Sequence, residues 1–60
     1  MTIEPGQIWS SINRTEFYVD DVRVVDNETW VYYTNTFTHQ TYSCLEGAFK
    51  QRFRIVLNRG

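Results

Sequence analysis

The stretch Thr29-Trp30-Val31-Tyr32-Tyr33-Thr34-Asn35 decides the fold. It is nearly all β-branched and aromatic, a composition that suits a pleated, half-buried strand. A strand with bulk on both faces risks aggregation if it is left at a solvated edge. The rest of the chain must therefore supply a partner on each side and cover for each face.

Immediately upstream, residues from about Thr15 to Val25 read as a second, long strand. Phe17 and Val19 alternate on one face, but Val22 and Val24 fall out of phase with them. One extra residue near Asp20-Asp21 restores the phase, and one extra residue is what a β-bulge supplies. A bulge or sharp bend is expected there, so that one strand serves two orthogonal parts of a small sheet. The connection Asp26-Asn27-Glu28 lacks glycine, yet Asn tolerates a positive φ and a tight hairpin is expected. With Asn27 and Glu28 as the turn, Asp26 pairs with Thr29, Val25 with Trp30, Val24 with Val31, Arg23 with Tyr32 and Val22 with Tyr33. That register puts Val22, Val24, Val31 and Tyr33 on one face and Arg23, Val25, Trp30 and Tyr32 on the other.

Working outward, Pro5-Gly6 signals a turn, and Gln7-Ile8-Trp9-Ser10 reads as a short first strand with Ile8 and Trp9 on opposite faces. Ser11-Ile12-Asn13-Arg14 reads as a turn. Thr36 to Gln40 is a polar loop, with Phe37 as an anchor or an exposed tip, and Thr41-Tyr42-Ser43 is a fourth strand. Ser43-Cys44-Leu45-Glu46 matches a capping box, predicting a short helix through Lys50 or Gln51. Leu45, Phe49 and Phe53, four apart, would stack on one face of it. Gly47 inside that helix costs about 1 kcal/mol relative to alanine. Arg52 to Leu57 alternates charged and apolar residues, giving a fifth strand with Phe53, Ile55 and Leu57 inward. Asn58-Arg59-Gly60 is expected to fray. This order predicts an all-β single domain over residues 1–60: a small five-stranded SH3-like barrel with one short helical turn before the last strand, curled so that few edges stay open.

A domain of 60 residues buries only about 60% of the surface its unfolded chain exposes. Aromatic residues make up 17% of the chain, two Trp, four Tyr and four Phe, and most of these rings are expected in the core. Cys44 is the sole cysteine, so an intramolecular disulfide is impossible. The N-terminus has no basic and apolar leader pattern, and no run approaches a membrane span. The expectation is a cytoplasmic protein without a membrane partner.

The net charge of −1 divides unevenly. Residues 1–36 hold six acids against Arg14 and Arg23, which is −4; residues 37–60 hold Lys50, Arg52, Arg54 and Arg59 against Glu46, which is +3. An acidic front and a basic tail either neutralise each other in the fold or leave a local basic patch.

Ile3-Glu4-Pro5-Gly6-Gln7-Ile8-Trp9 at one end, and Tyr42-Ser43-Cys44 followed by Lys50-Gln51-Arg52-Phe53 at the other, carry a resemblance. They are similar to a group of short lambdoid bacteriophage early-region proteins of unknown function, encoded between the exonuclease and excisionase genes. Those proteins begin with a Pro-Gly-Gln-aromatic strand and end in a Cys-containing segment, a Phe-rich helix and a basic strand. The resemblance implies a setting, the cytoplasm of an infected bacterium early in infection, and a role in host or phage regulation. It carries no catalytic residue.

The chemistry in the chain points the same way. His39 and Cys44 are the only His and Cys, whereas a structural zinc site takes four such ligands. The same two residues form the only conceivable base and nucleophile, and nothing orients them. Asp20 and Asp21 point to opposite faces of a regular strand and converge only at a bulge. No enzyme, no cofactor and no metal is expected. Two surfaces remain. Arg23, Trp30 and Tyr32, with Val25, resemble the anchors of protein interfaces, for a host or phage partner or for self-association; alternatively Trp30 packs with Trp9 or the chain ends as a second small core. Lys50, Arg52 and Arg54 form the alternative, a weak nucleic-acid site on the basic C-terminal strand, although a pI of about 5.6 runs against it.

Overall fold

The computed structural model describes residues 2–57. Its elements are β1 (Ile8–Ser11), β2 (Glu16–Val25), β3 (Glu28–Asn35), β4 (Thr41–Leu45), the helix α1 (Glu46–Arg52) and β5 (Phe53–Leu57). The strands form one antiparallel sheet in the order β4-β3-β2-β1-β5, curled into a half-barrel. The succession of elements along the chain, four strands, a short helix and a last strand in an all-β, SH3-like fold, is the one the sequence predicts. Among the described residues the two end strands do not pair with each other, so the sheet keeps two open edges there, contrary to the expected near-closure. Helix α1 runs between those ends and packs on β3, β4 and β5.

β2 departs from regular pairing where the hydrophobic phase breaks. Val19 pairs with Tyr33 and Asp21 with Tyr32, and the register shifts between them. Asp20 is the extra residue. The bulge lets Phe17, Val19 and Val22 all turn inward: Val19 is fully buried, Phe17 nearly so, and Val22 packs against the core.

The hairpin turn sits one residue earlier than the sequence suggests. Asp26 and Asn27 are its central pair, with φ of 53° and 66°, and Val25 pairs with Glu28, Val24 with Thr29, Arg23 with Trp30 and Val22 with Val31. A tight turn with two positive φ angles favours Asp and Asn, which tolerate that region, over Glu28. Each expected partner moves by two residues, an even number, so every side chain keeps its face.

The capping box does not form. Ser43 pairs with Tyr32 and Leu45 with Trp30, so β4 continues to Leu45, which is the N-cap of α1 without a side-chain cap bond. Sheet pairing outweighs a local cap, and Glu46 in the first turn still complements the helix dipole. Consequently Leu45 stands on the sheet's outer face and is not stacked with Phe49 and Phe53. Those two rings do meet, with centroids 4.8 Å apart. A methyl group at Gly47 would meet nothing within 4 Å, so no packing demand explains that glycine. The inward side chain expected for Leu57 and the fraying at Asn58-Arg59-Gly60 lie outside the described residues.

Five of the ten aromatic residues are buried, namely Trp9, Phe17, Tyr33, Phe49 and Phe53, fewer than the sequence suggests. Tyr33 is their hub: Phe17, Phe49 and Phe53 lie edge-on to it at 5.0–5.5 Å, and Tyr42 stacks on it at 5.7 Å. Trp9 meets Phe49 edge-on at 5.1 Å. Such ring pairs add about 0.5–1.5 kcal/mol each beyond the area they bury.

The N-terminal segment completes the core. Pro5 and Gly6 form the expected turn, with Gly6 at φ 94°, a region that only glycine enters cheaply. Ile3 is thereby buried, and so is the polar side chain of Gln7. The Gln7 Oε1 accepts hydrogen bonds from Trp9 Nε1 at 2.8 Å and from the Glu4 amide at 3.0 Å, while its Nε2 donates to the Thr2 carbonyl at 3.1 Å. The Val19 amide donates to the Gln7 carbonyl at 3.0 Å. One side chain thus ties the leading segment to the core tryptophan.

Gln7→Met keeps the volume but strands the Trp9 and Glu4 donors, and should cost about 2–4 kcal/mol. Urea unfolding with an unchanged m-value checks this; a loss under about 1 kcal/mol would refute it. Tyr33 supplies a second test. Burial, and then its contact with Cys44, pushes its hydroxyl from the usual 10 up to about 12. A raised folded-state value means that this contribution is whole below pH 10 and lost as pH rises through 12. Wild type should lose that stability across this window, and Tyr33→Phe should not lose it.

Candidate interaction face

The outer face of the half-barrel follows from the register. Side chains opposite one another share a face, so Arg23, Trp30 and Leu45 form one row and Asp21, Tyr32 and Ser43 the next. The three residues singled out for protein contact, Arg23, Trp30 and Tyr32, are therefore brought together. The Arg23 guanidinium lies over the Tyr32 ring, 5.1 Å from its centroid. Its Nε also donates to Asp21 Oδ2 at 2.7 Å. This bond and the Val22 amide hold the Asp21 carboxyl below its usual range, and the same contact raises Arg23.

Trp30 and Tyr32 are each half-buried. Trp9 faces the core, on the opposite side of the sheet from Trp30. Val25 and Leu45 are 47% and 37% exposed, so the rings sit in a broader apolar strip. Leu45 was hidden from sequence reasoning because the capping box assigned it to the helix. Tyr18, also exposed, stands opposite Thr34 on the same face.

The bulge has a consequence for charge. Asp21 stands opposite Tyr32, and the Asp20 carboxylate accepts a hydrogen bond from the hydroxyl of Thr34, one row along. Both carboxylates therefore project from the outer face, the convergence that a regular strand forbids. Glu16 and Glu28 pair within the outer rows, and Arg54 stands in the row of Ser10 and Glu16, so the four acids outnumber Arg23 and Arg54 there. Beside Asp20 lies an open depression of about 360 Å³, lined by Asp20, Tyr32, Thr41, Tyr42 and Ser43.

The basic residues are arranged differently from expectation. Lys50 and Arg52 occupy the last turn of α1, whereas Arg54 lies on β5 opposite Ser10. Arg52 is helical, so Arg52 and Arg54 do not share a strand face. All three are exposed.

His39 is exposed in the loop after β3, at φ 65°. Cys44 is a free cysteine, half-buried against the core beside Tyr33. No group of three or more His, Cys, Asp or Glu side chains is placed to hold a metal among the described residues. The loop holding His39 is set by Asn35, whose Oδ1 accepts the amides of Phe37 and Thr38 at 2.8 and 3.1 Å. It presents Phe37 as an exposed tip, 80% accessible. No protein-family model matches the chain, and no curated protein or solved structure matches it either.

The two tryptophans should separate in solution. With Trp9→Phe, the remaining Trp30 emission should be quenched by iodide; with Trp30→Phe, the remaining Trp9 emission should be nearly unaffected. Equal protection of both indoles would show that Trp30 belongs to a core.

Proposed function

We propose that this chain is a non-enzymatic accessory protein of the phage early type, acting as a protein-interaction module. It would dock a host or phage protein on the outer face of β2 and β3 and so modulate regulation in the cytoplasm of an infected bacterium. The observation that carries this reading is the Arg23–Tyr32 stack beside Trp30 on one accessible face. Trp, Tyr and Arg are the residue types that dominate interface energetics. Rings also offer contact area at little entropic cost, and Asp21 already holds Arg23 in place. The cellular setting is what the resemblance read in the residues of the chain's two ends would imply.

Trp30→Ala and Tyr32→Ala should each weaken capture of a partner from infected-cell extract by about 2 kcal/mol, roughly thirty-fold, a loss typical of interface anchors. Circular dichroism and cooperative melting should be unchanged. Capture that persists in both variants would remove the basis for the reading, and unfolding of both would assign the rings a core role.

A further inference from the structure

Ile12 and Phe37 are the two most exposed large apolar side chains among the described residues, at 95% and 80%. Exposed apolar residues scattered singly need no explanation, but these two are not scattered. The sheet order β4-β3-β2-β1-β5 puts the β1–β2 turn and the β3–β4 loop at one end of the sheet and the Asp26-Asn27 hairpin at the other. The two loops are also bonded together: the Thr36 amide and hydroxyl both donate to the Glu16 carbonyl, at 3.1 and 3.2 Å. Each tip is held out by its own loop. Ser11 Oγ accepts the amides of Asn13 and Thr15 around Ile12, as Asn35 Oδ1 accepts those of Phe37 and Thr38.

Charge is divided along the same axis. Arg14 lies in the first loop, and Lys50 and Arg52 close the last turn of α1. Arg54 follows at the start of β5, whose Phe53 pairs with Ser11 beside the β1–β2 turn. All four cations are exposed. Glu16 is the one acid among residues 11–16, 36–41 and 50–54, which make up this end. Asp26 and Glu28 sit at the hairpin, and Glu46 starts α1 after Leu45, which pairs with Trp30 near that far end. The apolar tips thus project from a cationic end, and the acids from Asp20 onward lie behind it.

From these features we propose that this end of the half-barrel docks on an anionic lipid surface. Ile12 and Phe37 enter the headgroup layer while Arg14, Lys50, Arg52 and Arg54 meet lipid phosphates. Binding of this kind grows with the apolar area buried and with the attraction of cations to anionic lipid. The contact is peripheral, for no helix of the described residues is long and apolar enough to cross a membrane. It departs from the expectation of no membrane partner, which followed from the absence of a spanning run. Other occupants fit less well. Two separate convex tips offer a protein no continuous patch, and Ile12 has no ring on which a base could stack. A second copy presents at its acidic end a two-residue turn, convex like the tips themselves, so the ends meet without covering Ile12 and Phe37. Arg23 and Trp30, in the hairpin half, stay clear of the lipid, so the inference goes beyond the protein-interaction reading and does not rest on it.

The test is cosedimentation of the full chain with vesicles of equal parts phosphatidylglycerol and phosphatidylcholine, against phosphatidylcholine alone. Binding should need the anionic lipid and weaken as salt rises. Ile12→Ser and Phe37→Ser should each weaken it about tenfold, and Arg14→Gln and Arg52→Gln about fivefold each. Melting should be unchanged, because all four side chains are exposed. Val24→Thr, which removes exposed apolar surface at the hairpin end, should alter binding by less than about twofold. Entry into the lipid has its own readout. With Trp30→Phe and Phe37→Trp combined, the indole at the tip should shift its emission to shorter wavelength on anionic vesicles. Absence of binding to anionic vesicles at low salt, equal binding to the neutral ones, or indifference to both serine variants would overturn the proposal. So would an oligonucleotide that displaces the vesicles and binds Ile12→Ser as tightly as wild type, which assigns this end to nucleic acid. Assembly that grows with protein concentration without vesicles, and that Ile12→Ser abolishes, would overturn it in favour of a second copy. Failure here leaves the outer-face reading standing, since capture through Trp30 and Tyr32 is measured without lipid.

Discussion

The extra residue in β2 is the constraint on which both sides of the sheet depend. A strand alternates strictly, so Phe17, Val19 and Val22 cannot all face inward unless one residue is left out of the ladder. Asp20 is that residue. The same step that keeps the apolar side chains inside turns two successive carboxylates outward, beside Tyr32 and Thr34. Core packing and surface charge are therefore consequences of a single irregularity, and removing it would exchange one face for the other along half the strand.

Inside, a chain this short gains its core from rings and from one buried amide. Tyr33 gathers Phe17, Phe49 and Phe53 from β2, α1 and β5, so elements distant in sequence share one cluster. Gln7 then fastens the leading segment over that cluster through Trp9. A buried amide is tolerated only when its hydrogen-bonding capacity is met, and here Glu4, Trp9 and Thr2 meet it. With the interior filled by half of the rings, the others remain for the surface. Trp30 and Tyr32 stand behind the same backbone stretch as Val31 and Tyr33, facing the other way.

Much of this was legible in the sequence, and the failures have specific causes. The bulge was visible as a break in hydrophobic phase, because periodicity reports which face a residue takes. The hairpin register was misplaced because periodicity reports only parity; the φ demands of the turn select Asp26-Asn27 over Asn27-Glu28. The capping box misled because Ser43 to Glu46 satisfies a local rule while β3 offers Ser43 and Leu45 a ladder. The burial of Gln7 left no local signal at all, since its partners are set by how the leading segment folds back.

By itself, then, the sequence determined the succession of strands, the single helix, the faces of the central hairpin and the gathering of Arg23, Trp30 and Tyr32. All of these follow from alternation and turn chemistry, which act between near neighbours. Tertiary structure alone decided that β4 stays an open edge among the described residues, that Asp20 and Tyr32 flank a depression beside it, and that Arg52 and Arg54 part company. Those outcomes depend on how far the sheet curls and where α1 crosses its open side, and sheet curl is a collective property of packed rings that no short stretch of residues encodes.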